Sequence, residues 1–487
     1  MSFNSITFLI FFITVFILYF ITPIRFRWIV LLGASIYFYG SWNWKYLILI
    51  FCTTLTSYVT AYLLEKYEKL YIRRFLLGFC IFVSLDLLIM FKYFNFLGSL
   101  FNMFWQTDDG KGVIPFLSVL LPVGISFYTF QTLSYVVDVY YRRMSAEKNF
   151  GFFALYVTFF PQLVAGPIER ATNLIPQLHS PKKFDYYRAL DGVHHVIWGL
   201  FKKIFIADSM AITVDLVYND INSYPPLATI IATVFFAFLI YCDFSAYSDI
   251  AIGVAKILGY DLMLNFNIPY IACNIDDFWK RWHISLTTWF KDYLYIPLGG
   301  NRKGRLRTYI NVFIIFLVSG IWHGANVTFV AWGVLHGLYT IIYRLTKKPR
   351  DIITKFMNKP VLKQFYVLFT WFITFSSICF AWIFFRANTM DDAITVISGL
   401  FNYIPTDIGE TLALLNLDNY VFITLIISVL FMGIIEYFQA HNNIFEKFAH
   451  WNFVPRFATY IILVLSTLFV SFYFGGSEVK AFVYFQF

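Results

Sequence analysis

The chain of 487 residues is 59% hydrophobic, 22% aromatic and only 13% charged, with a formal net charge of +9. That length would ordinarily divide into two or three soluble domains, but so little charge cannot clothe a soluble surface, and this class is excluded. The basic excess does not mark a nucleic-acid binder either, because Lys and Arg fall in short clusters between apolar runs, where they set membrane topology.

Apolar runs of 18 or more residues recur from end to end, which predicts a single all-α polytopic membrane domain over residues 1–487. The first run, residues 3–20, has no basic stretch before it and no small-residue cleavage site after it, so it reads as a retained helix rather than a signal peptide. Basic clusters follow at Arg25 and Arg27, at Lys66, Lys69, Arg73 and Arg74, and at Arg142, Arg143 and Lys148. Others lie at Lys182, Lys183 and Arg188, at Arg302, Lys303, Arg305 and Arg307, and at Lys347, Lys348 and Arg350. The loops between them, residues 98–114, 218–226 and 386–417, are poor in Lys and Arg. The alternation predicts about 11 or 12 crossings with both chain termini extracytoplasmic.

Two stretches do not read as plain crossings. Residues 150–177 carry Pro161, Pro167 and Pro176 together with Glu169 and Arg170. Irregular backbone at membrane depth is tolerated only where protein buries it or a cavity receives it, so re-entrant or tilted helices are expected here and again over residues 267–297. Between them, the run 227–258 contains YCDFSAYSDIAIG, whose Asp243 and Asp249 must be paired or watered; a structural role fits them best.

Residues 276–343 form the segment around which the chain is organised. Residues 276–293 fit one amphipathic helix with Lys280, His283, Thr287 and Lys291 on one face and Phe278, Trp282 and Trp289 on another. Asp276 would then pair with Lys280, and Asp277 with Arg281. An interfacial helix explains the tryptophans and the basic face but has no need of a histidine. A Gly-containing basic loop, residues 299–307, follows; clustered positive charge suits either a topology signal or the phosphates of a nucleotide-bearing donor. Residues 309–343 contain no Asp, Glu, Lys or Arg, yet His323 lies among them. An imidazole in such a run is either a helix-packing group or a functional base, and physics alone leaves both open.

Other chemistry-bearing residues carry less. His194 and His195 are adjacent and point to different helix faces, and His336 lies nearly four turns from His323. No catalytic role is assigned to these three. The five cysteines are scattered without a CxxC pair, which predicts neither a metal site nor a disulfide framework.

The motifs DFWKRWHISLTTWFKDYLYIPLGGNRKG and GIWHGA resemble those of the membrane-bound O-acyltransferase family, within it the bacterial branch that O-acetylates alginate and peptidoglycan. YCDFSAYSDIAIG resembles the family too, with Ala246 where a glycine is expected. The resemblance implies spanning helices around a central tunnel, and segment 276–343 as the catalytic core. It makes His323 the catalytic base and His283 a second functional histidine. The candidate donor-binding residues are Arg302, Lys303, Arg305, Lys280 and Trp282, with acetyl-CoA as donor and no metal. The C-terminal AFVYFQF, within an extracytoplasmic tail over residues 475–487, resembles the branch's terminal motif. This implies that Tyr484 carries the acetyl group to an extracytoplasmic SGNH or esterase-like partner, which acetylates a cell-envelope polysaccharide. The implied location is the bacterial cytoplasmic membrane.

Two other classes stand beside the enzyme. A transporter or flippase of an acylated precursor also explains buried charges and broken helices, although no inverted repeat is visible. An inert scaffold is opposed only by the presence of both histidines in their motifs.

Overall fold

The computed structural model describes residues 1–105, 113–117, 122–164, 166–357, 359–403, 405–473 and 482. Among these every regular element is helical. Among the described residues, six helical stretches are long and apolar enough to cross a membrane: Ile24–Lys66, Leu70–Phe104, Pro226–Leu258, Arg305–His323, Pro360–Arg386 and Asn419–Asn442. Two shorter apolar helices, Ile6–Ile21 and Phe453–Ser466, lie near the ends. The outer faces are themselves apolar. On Pro360–Arg386, Phe365, Phe369 and Phe372 are each more than half exposed at helical spacing, a stripe that only lipid can cover.

The chain forms two compact units, residues 1–196 with 247–263, and residues 197–246 with 264–487. In the first, the helix Ile125–Tyr140 is buried along almost its whole length and packs against Leu47–Lys66 and Leu70–Leu88. The proline-rich stretch breaks as expected. Helix Phe150–Thr158 ends, residues 159–164 and 166–170 run without helix, and Ala171–His179 resumes with Pro176 inside it.

Buried side chains satisfy the backbone that this break releases. Gln131 Nε2 and Gln162 Nε2 both donate to the Tyr156 carbonyl, at 2.8 and 2.9 Å, and the Tyr156 hydroxyl donates to the Glu169 carbonyl at 3.0 Å. Ser35 Oγ accepts the Phe160 N–H. The Glu169 carboxylate accepts from Asn173 Nδ2 at 2.6 Å and from the Met263 N–H at 2.8 Å, yet its complete burial pushes its pKa up to about 7. Buried protein groups thus hold this irregular backbone. His194 and His195 are buried, and His195 lies beside Asp191 and Lys256 in a local polar cluster.

The second unit contains Arg305–His323 and Val327–Leu345 as an antiparallel pair, Pro360–Arg386 packed on the latter, and the broken residues 264–297. Asp243 supplies the structural pairing anticipated for it. Its carboxylate accepts from Lys203 Nζ at 2.6 Å, with both side chains 1% exposed.

Candidate active site

The site begins with the GIWHGAN turn. Helix Arg305–His323 stops at Gly324, and Asn326 caps Val327–Leu345 by accepting the Thr328 N–H. Two glycines let the helices approach. A Cβ on Gly320 would lie 2.3 Å from the Phe329 carbonyl oxygen, and one on Gly333 would lie 2.4 Å from that of Phe316. No other residue fits either position.

This close crossing sets His323, the last residue of its helix, into a box of aromatic rings. Its imidazole centroid lies 4.9 Å from Trp322, 5.0 Å from Trp332 and 5.2 Å from Phe385, each near perpendicular. Phe385 comes from Pro360–Arg386, which also brings Trp382 to 5.2 Å from Phe385. The His323 side chain is 4% exposed.

His283 reaches the same box by a route the periodicity did not indicate. The single helix expected over residues 276–293 is two helices, Ile275–Arg281 and Ile284–Phe290, followed by a π-helical turn at Lys291–Tyr295. His283 is the joint, in the left-handed region with φ 44°. Hydrogen bonds from outside the segment cause the break. The Ile284 N–H donates to the Asn265 carbonyl at 2.8 Å, the Asn267 N–H to that of Arg281 at 2.9 Å, and Ser285 Oγ to Asn265 Oδ1 at 2.6 Å. His283 therefore leaves the face of Lys280, which is exposed, and turns inward. Its ring lies 4.7 Å from Phe244 and 6.1 Å from Trp322. Burial pushes its pKa down to about 3, so the imidazole is neutral throughout the physiological range.

The two candidate histidines thus share Trp322. Of the expected pairs, Asp277–Arg281 forms at 3.0 Å, whereas Asp276 faces Arg344 at 3.7 Å instead of Lys280. Trp282 is buried among Trp382, Phe266 and Tyr270. His336 is also buried here, 4.8 Å from Trp332, one turn earlier on the same helix, and 4.9 Å from Trp279 of Ile275–Arg281. Measuring its separation from His323 alone left out Trp332, whose ring lies against both imidazoles. Trp332, Phe385 and Trp382 were not singled out from the sequence either, and no local signal marks them.

The basic loop turns on Gly299, Gly300 and Gly304, all at positive φ, and is tied down by buried Asn311, whose Nδ2 donates to the Gly300 carbonyl at 2.9 Å. Arg302, Lys303, Arg305 and Arg307 are exposed on it. Tyr484 lies outside the described residues. Phe482, two positions earlier, is 1% exposed, with Lys203 Nζ 4.4 Å from its ring centroid.

Among the described residues no group of three or more His, Cys, Asp or Glu is placed to hold a metal. An open apolar groove of about 1090 Å³, lined by residues that include Tyr270, Trp371 and Glu436, contains neither candidate histidine. Chemically, the box offers buried imidazoles among ring edges that keep the site apolar. It suits proton removal from a hydroxyl in a pocket shielded by apolar rings.

The family model described as MBOAT, membrane-bound O-acyltransferase family, matches residues 36–351. The chain belongs to the membrane-bound O-acyltransferase family. A probable alginate O-acetylase of Pseudomonas syringae is 36% identical over 451 residues, covering 90% of this chain and 83% of that protein. A peptidoglycan O-acetyltransferase of Helicobacter pylori is 31% identical over 499 residues, covering 94% and 91%. A teichoic acid D-alanyltransferase of Bacillus subtilis is more distant, 27% identical over 237 residues, covering 46% and 60%. This O-acyltransferase is accordingly an enzyme and a multi-pass bacterial membrane protein. Residues 36–351 include both candidate histidines and the basic loop, while Phe385, which closes the box, lies beyond them.

Proposed function

We propose that this acyltransferase moves acetyl groups from cytoplasmic acetyl-CoA to an extracytoplasmic cell-envelope polysaccharide. The observation that carries the reading is the meeting of His323 and His283 on Trp322 in a buried aromatic box. Relatives named as alginate O-acetylase and peptidoglycan O-acetyltransferase support acetyl as the group and a polysaccharide as the final acceptor. In this reading Arg302, Lys303 and Arg305 hold the donor phosphates, with Lys280 contributing from helix Ile275–Arg281 and Trp282 from just beyond its end. His323 is the base, and neutral His283 orients the donor or shares the proton.

The first acceptor is the hydroxyl of Tyr484. His323 takes the phenolic proton, the phenolic oxygen bonds to the acetyl carbon, and the C–S bond breaks to release the CoA thiolate. A serine of an extracytoplasmic SGNH or esterase-like partner then attacks the aryl ester, and phenolate departs. Tyrosine suits this relay because a pKa of about 10 makes it a better leaving group than a sugar hydroxyl. The enzyme sits in the cytoplasmic membrane with both termini outside.

Tyr484→Phe keeps the ring and removes the nucleophile. Cells carrying it should lose polymer acetylation while the protein still accumulates in the membrane. Persistent acetylation at the normal level refutes the relay.

A further inference from the structure

Buried Lys203 has no place in this chemistry. Lys203 lies in a π-helical turn, Phe201–Ala207, and is 1% exposed. Its ammonium contacts Asp243 Oδ1 at 2.6 Å and Asp208 Oδ1 at 2.9 Å. Beyond these two carboxylates it faces the ring of Phe482 at 4.4 Å, inside the range of a cation–π interaction. Phe482 is itself 1% exposed, in a stretch at the end of the chain where an aromatic side chain would otherwise meet solvent or lipid.

The dock is joined to the aromatic box by one helix. Asp208, the partner of Lys203, opens Asp208–Tyr218, and Asp215 on the same helix accepts from Arg386 at 3.0 Å. Arg386 follows Phe385, whose ring touches His323. Seven residues of helix separate Asp208 from Asp215, about 10 Å along the axis. Covalent geometry limits the Cα of Tyr484 to about 7 Å from that of Phe482.

We propose that Lys203, held between Asp243 and Asp208, is a positioning residue that docks the C-terminal tail through Phe482 and so fixes where the acyl-accepting end of the chain is presented. The dock itself is a property of Lys203 and Phe482; its role in transfer rests on the reading of Tyr484 as the acceptor.

Removing Lys203 leaves buried Asp243 and partly exposed Asp208 without their shared cation and invites misfolding, so the principal test changes the ring instead. Phe482→Leu keeps apolar bulk and loses the π face, whereas Phe482→Trp keeps it. Carboxypeptidase release of C-terminal residues from the purified full-length protein reads docking without any chemistry. Release should quicken roughly tenfold in Phe482→Leu and stay near wild type in Phe482→Trp. Acetylation of the protein from labelled acetyl-CoA should fall in parallel in Phe482→Leu through kcat, with the KM for acetyl-CoA unchanged, and recover in Phe482→Trp. Unchanged release in Phe482→Leu overturns the dock. Faster release with undiminished labelling overturns the positioning role; if Tyr484→Phe is labelled as well, the acceptor reading fails with it.

Discussion

The geometry of the helix crossing can be tested apart from the chemistry by adding one methyl group. In Gly333→Ala the new Cβ would sit 2.4 Å from the Phe316 carbonyl oxygen, whereas ordinary contact begins at 3.4 Å. The obstacle is helix backbone, not a side chain that can swing away, so the two helices must part by about 1 Å. Overpacking of this kind costs about 1–3 kcal/mol. The catalytic effect should be larger than the loss of stability suggests. His323 ends one of the two helices, Trp332 lies on the other, and a displacement of about 1 Å at a reacting group costs roughly 100-fold in rate. The assay is transfer from labelled acetyl-CoA by protein purified in lipid nanodiscs, with thermal inactivation measured alongside. Gly433→Ala is the control, because a Cβ there meets nothing within 4 Å. Gly333→Ala turning over like wild type, in a protein of unchanged stability, would refute the claim that this crossing sets the site.

Neutralising Arg302 and Lys303 together should raise the KM for acetyl-CoA several-fold and leave kcat near its wild-type value, because exposed phosphate-binding charges contribute to ground-state binding. An unchanged KM returns the loop to a purely topological role. Glu169 predicts a pH dependence of stability. Burial raises its pKa from 4.5 to about 7, so between those values the folded protein binds more protons than the unfolded chain. Its contribution to stability therefore falls as pH rises from about 4.5 to about 7 and is lowest above that. Thermal inactivation of Glu169→Gln should lack this component, so its difference from wild type must change across that window; a constant difference contradicts the assignment.

The organisation of the chain was legible in the sequence wherever one physical rule acted locally. Apolar runs gave membrane helices, and Pro161, Pro167 and Pro176 marked a broken segment whose backbone is indeed held by buried side chains. Asp243, a carboxylate that had to be paired, is paired. The failures have one cause, contacts made by distant residues. Helical periodicity carried residues 276–293 straight through His283, because nothing within that window reports that Asn265 and Asn267 hydrogen-bond into it. A left-handed histidine leaves no trace in a pattern of apolar positions. Phe385 closes the box from a separate helix, and His323 is set beside Trp332 by a hairpin whose closeness depends on Gly320 and Gly333. Those glycines were in view, but the sequence does not say which backbone a glycine faces.

The role of His323 bears most directly on the account. His323→Ala should be compared with wild type in nanodiscs for both acetyl-CoA binding and acetyl transfer to the protein. Loss of the base predicts preserved donor binding, since the exposed loop is untouched, and transfer reduced by about 10²- to 10⁴-fold. A folded His323→Ala protein that still transfers acetyl groups within about tenfold of the wild-type rate contradicts the assignment of His323 as the base.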